Sequence, residues 1–260
     1  MIRYVLLGLV QGITEFLPVS SSGHLVLAER WLGLDPPGVL LEAMLHWGTL
    51  AAIIIVFRKD IASLLKSLRG KGSIEQRKDV GFLIAGTVPV VAMGLLFRDA
   101  IQTAFSSLLG VGIGLVLTAV ILWLGHVARV RARRPSIRFP DALVVGLAQA
   151  ASVFPGVSRS GVTISAGMAM GLTASQAARF SFLLAIPALF GAGLLHLFDA
   201  LQAPSSQPWL GVILGTLCAF GSGWLALHGV LRMVRRGRFW MFAIYCFLAG
   251  VGTLIWSALT

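Results

Sequence analysis

Apolar runs separated by short polar stretches follow one another along the whole chain, and six of them are long enough to cross a bilayer. A spanning helix needs about 20 mainly apolar residues. The six predicted spans cover residues 39–57, 80–97, 108–127, 180–198, 209–231 and 239–259. Two further apolar runs, 4–17 and 142–154, are shorter, and runs of about 10–14 residues are more often re-entrant or interfacial.

Each of the two short runs ends at a proline, Pro18 or Pro155. Proline terminates a helix because it lacks a backbone donor and its ring clashes with the preceding turn. A stretch rich in Ser and Gly follows, and its hydroxyls and flexible backbone suit the start of a second helix. Helix, break and helix predict a hairpin that enters and leaves the membrane on one side. Such irregular backbone is tolerated only if it is buried in protein or lines a wet cavity.

The two broken segments are copies of one another. Residues 8–25 recur at 146–163 with a constant shift of 138 positions, so that Gln11 matches Gln149 and Ser20 matches Ser158. A duplicated broken segment is the best sequence pointer to a binding site in a membrane protein. The copies differ in their ionisable residues, because the first carries Glu15 and His24 whereas the second carries Arg159.

Composition excludes an ordinary soluble domain. Hydrophobic residues make up 57% of the chain and charged residues 12%, against about 25% charged residues in soluble domains. The formal net charge is +11, but the basic residues cluster in short loops instead of forming the broad basic face of a nucleic-acid-binding protein. No nucleic acid partner is therefore expected. Cys218 and Cys246 lie in apolar spans and are predicted to be free thiols.

The distribution of Lys and Arg predicts the orientation of the chain. The stretches 58–78, 129–138 and 232–238 are strongly basic, whereas 98–107 holds one Arg and 199–208 holds no Lys or Arg. Because cytoplasmic loops carry the excess of Lys and Arg, the three basic stretches are predicted to be cytoplasmic. The first hairpin then enters from outside and the second from inside.

The sequence therefore predicts an all-α polytopic membrane protein with an inverted-topology repeat, six transmembrane helices plus two re-entrant helical hairpins. Residues 1–138 form the first repeat and residues 139–260 the second. Each repeat consists of one re-entrant hairpin plus three transmembrane helices, and the two form one integrated membrane domain.

Gln11 and Glu15 are the first candidates for chemistry. They lie four residues apart, on one face of a short helix. An ionised group at membrane depth costs on the order of 3 kcal/mol, so it usually has a partner and a role. A carboxylate and an amide oxygen suit Mg²⁺ or Ca²⁺, and Glu15 is also a candidate general base. The alternative is a polar stripe that only faces a neighbouring helix.

The residues Ser20, Ser21, Ser22, Gly23 and His24 form the second group. One interpretation is a helix N-cap with spare hydroxyls. The other is a substrate-binding turn in which one serine is a nucleophile, since His24 lies three or four positions downstream and a serine needs an adjacent base. His24 is itself a candidate to attack phosphorus or to protonate a leaving oxygen.

The third group surrounds Arg159 in the second copy. Its members are small or hydroxyl-bearing residues, namely Gly156, Ser158, Ser160, Gly161 and Thr163. Arginine presents a planar fork that suits phosphate oxygens, and N–H groups at a helix start favour anions. The group predicts a phosphate or diphosphate ligand. An Arg159 that simply pairs with Glu15 is the alternative.

At these residues the chain resembles the bacterial undecaprenyl-diphosphate phosphatases, the UppP or BacA family tied to bacitracin resistance. The resemblance rests on Gln11 and Glu15 followed by PVSSSGH at 18–24, and on PGVSRSG at 155–161. Glu42 with Gly48 and the stretch TVPVVAMGLLF at 87–97 are also similar. Gln11 stands where many members have Glu, which weakens the case for a metal held by two carboxylates.

The resemblance implies hydrolysis of undecaprenyl diphosphate to undecaprenyl phosphate and inorganic phosphate by an enzyme surrounded by membrane lipid. It implies a divalent cation, Mg²⁺ or Ca²⁺, held by Glu15 and Gln11. It implies a site that opens to the outer, periplasmic face of the bacterial inner (cytoplasmic) membrane. The residues it places in the catalytic group are Gln11, Glu15, Ser21, His24 and Arg159.

A transporter or flippase for polyprenyl phosphate is the competing hypothesis, since many transporters are inverted repeats with broken helices. The sequence favours the enzyme because Glu15, Ser21 and His24 occur in one copy only. It leaves open whether Ser21 or His24 attacks, and whether the chain forms a homodimer.

Overall fold

The computed structural model describes residues 1–34, 39–202 and 208–260, apart from the side chain of Val39, and this part of the chain is helical. The α-helices are α1 (Ile2–Phe16), α2 (Ser21–Trp31), α3 (Val39–Val56), α4 (Arg58–Leu68), α5 (Ile74–Leu96), α6 (Arg98–Phe105), α7 (Leu108–Ala128), α8 (Phe139–Ala151), α9 (Arg159–Ala169), α10 (Ala174–Gln202), α11 (Trp209–Arg235) and α12 (Trp240–Leu259). A 3₁₀ turn, Arg129–Arg131, follows α7.

The prediction of an all-α polytopic membrane protein is confirmed. In the described residues five helices, α5, α7, α10, α11 and α12, are long and apolar enough to cross a membrane. The helices α3 and α4 form a sixth candidate span that is bent by 78°. Large apolar side chains point outward from these helices, among them Ile84 at 62% exposure and Leu248 at 65%. Such a surface requires a lipid environment.

Two predicted loops contain helices. The bend at Phe57 leads into α4 and not into an irregular loop, because Leu64 and Ser67 of α4 are buried against the protein. A capping box between Ser73 and Gln76 then begins α5 inside the same predicted loop. The stretch 98–107 likewise holds α6. The predicted loop 199–208 is helical up to Gln202, and residues 203–207 lie outside the described residues.

The breaks between α1 and α2 and between α8 and α9 have the same start to their second helix. Ser20 caps α2 by accepting a hydrogen bond from the Gly23 N–H at 3.3 Å, and Ser158 caps α9 by accepting one from the Gly161 N–H at 3.1 Å. A capping serine satisfies one of the free donors of a helix start. Because α2 begins at residue 21 and α9 at residue 159, the shift of 138 positions in sequence holds in the structure at the starts of these two helices.

Helices from the first half of the chain pack mainly on helices from the second half. Helix α1 packs along α11 and α8 along α5, while α3 packs on α11 and α5 on α10. The remaining large contacts join α3 to α10 and α7 to α12. Glycines permit the closest approaches, since a Cβ at Gly8 would lie 2.2 Å from the carbonyl oxygen of Gly215, and one at Gly146 would lie 2.6 Å from that of Gly86.

An ion pair ties together the two ends of the α8–α9 segment. The Arg134 guanidinium donates to both oxygens of Asp141, at 2.5 and 2.9 Å, and to the carbonyl of Met170 at 2.8 Å. Asp141 also accepts from the Arg138 N–H at 2.7 Å. The hydrogen bonds to Asp141 raise the pKa of Arg134 above its usual value. Through its bonds to Asp141 and Met170, Arg134 holds the start of α8 beside the end of α9.

Candidate active site

The carboxylate of Glu15 is the point at which the two broken segments meet. Arg159 Nη2 donates to Glu15 Oε1 at 2.5 Å, and Ser21 Oγ donates to Glu15 Oε2 at 2.5 Å. Gln11 Nε2 donates to the same Oε2 at 3.0 Å. Glu15 is only 6% exposed, and a carboxylate can be buried at such depth because charged and polar donors compensate for lost water. Arg159 therefore pairs with Glu15, which the sequence left open as the alternative to a phosphate ligand.

The local helices explain why these groups converge. Glu15 stands in the last turn of α1, and Gln11 stands one turn earlier on the same face. Ser21 and Arg159 are the first residues of α2 and α9, and they are equivalent under the shift of 138. Two equivalent positions therefore reach the two oxygens of one carboxylate, one from each copy.

Two buried polar atoms at this site have no hydrogen-bond partner among the described residues: Arg159 Nη1 and Gln11 Oε1. A buried polar group left without a partner costs about 1–3 kcal/mol. A donor and an acceptor of this kind, beside a compensated carboxylate, are suited to an anionic ligand and an associated cation. The free N–H groups at the starts of α2 and α9 add further donors for an anion.

The backbone of the first break is in an uncommon conformation. Ser20 has φ of 71°, in the left-handed region that residues other than glycine rarely adopt. The Ser20 carbonyl oxygen lies 2.8 Å from His24 Nδ1, which is the contact that His46 and His228 also make with the carbonyl four residues earlier. In the second copy Ser158 has an ordinary φ of −75°, and the positive φ occurs at Gly156 instead, at 86°.

His24 does not contact the serine hydroxyls that it was expected to activate. Its Nδ1 faces the Ser20 carbonyl, and its Nε2 lies 2.7 Å from the hydroxyl of Tyr245. The expectation that His24 is the base for Ser20 or Ser21 is therefore wrong. The imidazole points away from both hydroxyls, and Ser21 donates its hydrogen bond to Glu15 instead. Tyr245 gave no signal in the sequence, since it lies in the apolar run of α12 outside both copies.

Three other residues predicted to bind substrate, Ser22, Gly23 and Ser160, lie at the two breaks. Ser22 bonds Ser20 at 3.2 Å, and Ser160 donates to the Leu17 carbonyl at 3.2 Å, so both line the breaks beside Glu15. A Cβ on Gly23 would lie 3.1 Å from the backbone of Gly156, which shows how closely the two breaks approach.

Thr163 does not lie at this centre. Its hydroxyl bonds Ser181 of α10 at 2.6 Å and the Arg159 carbonyl at 2.7 Å, so its contacts are those of a packing residue.

Thr118 of α7 also contacts the second break, although nothing in the sequence pointed to it. It donates to the Gly156 carbonyl at 2.8 Å and accepts from the Ser158 N–H at 3.0 Å, and thereby holds the second break in place.

The side-chain oxygen atoms of Glu15 and Gln11 fit a divalent cation that is bound together with a phosphate ligand. The described residues contain no group of three or more His, Cys, Asp or Glu that could form a protein cage. Gln11 Oε1 is a buried oxygen without a partner, next to the Glu15 carboxylate. Mg²⁺ is commonly bound by one or two carboxylates together with substrate phosphates, and that is what these residues offer.

Comparison with known proteins gives a consistent result over nearly the whole chain. The model of the family described as bacitracin resistance protein BacA matches residues 4–252. The undecaprenyl-diphosphatase of Halothermothrix orenii is 38% identical over 255 residues, covering 97% of this chain and 96% of the relative. That of Syntrophotalea carbinolica is 42% identical over 250 residues, with 95% of each chain covered. That of Desulfosudis oleivorans is 41% identical over 269 residues, covering 98% and 97%.

Proposed function

The chain belongs to the bacitracin resistance protein BacA family, and we propose from this premise how its site carries out the reaction. The protein is an integral membrane phosphatase. It hydrolyses undecaprenyl diphosphate to undecaprenyl phosphate and inorganic phosphate, which recycles the lipid carrier for cell-wall synthesis. The observation on which the mechanism rests is the pair of hydrogen bonds that Ser21 and Arg159 make to the two oxygens of Glu15.

The diphosphate binds between the two breaks. Arg159 directs its free Nη1 at the terminal phosphate, while Nη2 stays on Glu15. The N–H groups at the starts of α2 and α9 supply further donors. The hydroxyls of Ser20, Ser22, Ser158 and Ser160 line the same region. The polyprenyl tail remains among the lipid-facing helices.

Ser21 is the nucleophile of the first step. Its Oγ–H already donates to Glu15 Oε2 at 2.5 Å, the arrangement that an activated serine requires. Oγ forms a bond to the terminal phosphorus while the bond from that phosphorus to the bridging oxygen breaks. Glu15 accepts the serine proton, and undecaprenyl phosphate leaves as an anion. Arg159 stabilises the charge on the equatorial oxygens.

Water completes the reaction in the second step. It attacks the phosphoserine, the bond from phosphorus to Ser21 Oγ breaks, and Glu15 returns its proton to that oxygen. His24 Nε2 accepts the proton that the water loses, and His24 gives this proton to the solvent as inorganic phosphate is released. A neutral imidazole suits this role as a general base.

A divalent cation, Mg²⁺ or Ca²⁺, would be held by Gln11 Oε1 and Glu15 together with the phosphate oxygens of the substrate. When bound, it supplies charge neutralisation to the phosphate groups. Gln11 has a separate role through its own contacts, because its Nε2 orients the carboxylate that accepts the serine proton.

The placement in the membrane is also a proposal. Two inverted repeats, 1–138 and 139–260, would each hold a re-entrant hairpin, and the site would open to the periplasmic face of the inner membrane. The helix contacts between the two halves and the equal starts of α2 and α9 support this arrangement. The basic stretches on alternate connections support the orientation.

The test is phosphate release from undecaprenyl diphosphate by the purified protein in lipid nanodiscs, with and without a chelator. We expect release by the wild-type protein and its loss after chelation. An absence of release from the wild-type protein, together with movement of labelled polyprenyl phosphate across liposomes, would establish a transporter and overturn the mechanism. Tag accessibility tests the orientation separately, and both termini are expected outside.

A further inference from the structure

Tyr245 of α12 contacts the site from outside both copies. Its hydroxyl lies 2.7 Å from His24 Nε2, and the two rings stack with centroids 5.6 Å apart and planes 15° from parallel. The next residue, Cys246, is buried, and its Sγ lies 3.5 Å from the carbonyl oxygen of Pro18. Consecutive residues of α12 therefore hold both the imidazole and the break that precedes it.

The protonation pattern of the neutral imidazole follows from its two partners. A carbonyl oxygen only accepts, so the Nδ1 that faces the Ser20 carbonyl must carry the proton. The lone pair of a neutral ring is then on Nε2, where it accepts from the Tyr245 O–H. His46 and His228 face the carbonyl oxygen four residues earlier at the same 2.8 Å, so the hydrogen bond to Tyr245 is what distinguishes His24.

The position of Tyr245 gives this contact a functional use. Tyr245 is 47% exposed, so one side of its ring packs on His24 while the other faces the surface of the protein. A general base must keep both its tautomer and its direction to work efficiently.

We infer that Tyr245 links the attacking water to His24: together with the Ser20 carbonyl it holds His24 as the neutral tautomer with its lone pair on Nε2. This inference rests on the proposed function, since the Tyr245 hydroxyl gives its proton to Nε2 while it takes the proton of the attacking water. It adds to the site a residue that stands between the water and His24.

The first measurement is ¹⁵N NMR of histidine-labelled protein in nanodiscs, with the His24 signals identified by their loss in His24→Gln. The wild-type protein should show a protonated Nδ1 and an unprotonated Nε2 whose resonance is shielded by a hydrogen bond. In Tyr245→Phe the Nε2 resonance should move to higher chemical shift. A protonated Nε2 in the wild-type protein, or identical His24 signals in both proteins, would overturn the inference.

The second measurement is the split between kcat and KM. Tyr245→Phe keeps the ring stack and removes one hydrogen bond, so kcat should fall about three- to tenfold while KM changes by less than about twofold. The matched control is Tyr4→Phe, because Tyr4 packs on Gly211 from the first turn of α1, whereas Glu15 lies in the last turn. An unchanged or raised kcat in Tyr245→Phe contradicts the inference.

The two proposals fail in different ways. A wild-type protein that releases no phosphate contradicts the phosphatase mechanism, while its NMR signals still decide whether Tyr245 sets the tautomer. A normal wild-type rate with no change in Tyr245→Phe contradicts only the inference about Tyr245.

Discussion

The segments α1–α2 and α8–α9 share the capped start of their second helix but differ in chemistry. Both second helices are capped by a serine, and each capping serine lies beside a second serine in the first turn of that helix, at 3.2 Å in the first copy and 3.4 Å in the second. The first copy supplies the carboxylate of Glu15, whereas Val153 occupies the equivalent position in the second. The common features build the breaks, and the differences provide the reacting groups.

The first positions of α2 and α9 show this most directly. Ser21 and Arg159 are equivalent under the shift of 138, and each donates to Glu15. One is a hydroxyl that can attack and the other a guanidinium that can hold an anion. A symmetric framework thus delivers two different side chains to one carboxylate.

The largest expected effect on activity comes from replacing Ser21, the proposed nucleophile. Ser21→Ala should lower kcat by at least about 10³-fold, because the nucleophile is removed while the Glu15–Arg159 pair remains. Phosphate release in nanodiscs measures the effect. Ser106→Ala is the control, since Ser106 bonds only the Thr103 carbonyl at the exposed end of α6. Near-normal turnover of Ser21→Ala would transfer the attack to His24.

Replacing Arg159, the residue equivalent to Ser21 in the second copy, should give the next largest effect on activity. Arg159→Lys keeps the charge but loses the fork that reaches Glu15 and the phosphate together, so kcat/KM should fall about 10²-fold. Arg98→Lys is the matched control, because Arg98 forms an exposed pair with Asp199 at 2.7 Å. Equal rates for Arg159→Lys and the wild-type protein would remove Arg159 from phosphate binding.

A third test addresses the framework itself. Gly156 has φ of 86°, and an added Cβ would lie 2.3 Å from the Val111 carbonyl oxygen. Gly156→Ala should therefore cost about 2–4 kcal/mol of unfolding free energy, from the clash and the strain together. Gly171 has φ of 89° with nothing within 4 Å, so Gly171→Ala should cost only about 1 kcal/mol.

Thermal unfolding in detergent compares these two glycine variants. Equal losses would mean that backbone strain alone, and not the close approach of α7 to the second break, sets the cost at Gly156.

The smallest effect on activity is expected at Gln149, which is equivalent to Gln11 in the second copy. Gln149 is fully buried and neither of its side-chain polar atoms has a partner among the described residues. Gln149→Leu should leave kcat within about twofold and stabilise the protein by about 0.5–2 kcal/mol, because a buried unpaired amide is removed. Gln11→Leu should instead lower kcat about tenfold, since Gln11 bonds Glu15. A large loss of activity in Gln149→Leu would assign it a role in the site.

The features that depend on local sequence were predictable. The starts of α2 and α9 follow from a proline, a capping serine and the repeat, all of which are visible in the chain. The long apolar spans follow from hydrophobicity alone. Helices α4 and α6 were not predicted, because their basic and acidic residues hid the amphipathic pattern that packs Leu64 against the protein.

The contacts within the site were predictable only in part. The pairing of Glu15 with Arg159 follows from the cost of isolated charges at membrane depth. The choice between Glu15 and His24 as the partner of Ser21 depends on how the end of α1 lies beside the start of α2, which no composition rule specifies. Tyr245 meets His24 across 221 positions of sequence, and such a contact is set by tertiary packing.

The sharing of Glu15 has an evolutionary consequence. Each of its oxygens is held by a different copy, so a change in either copy alone removes half of the contact. A chain that alters residue 21 or 159 must compensate at residue 15 or lose the shared carboxylate contact. Related sequences should therefore show correlated substitution at these three positions, and independent drift at positions such as Val153 that take no part in the contact.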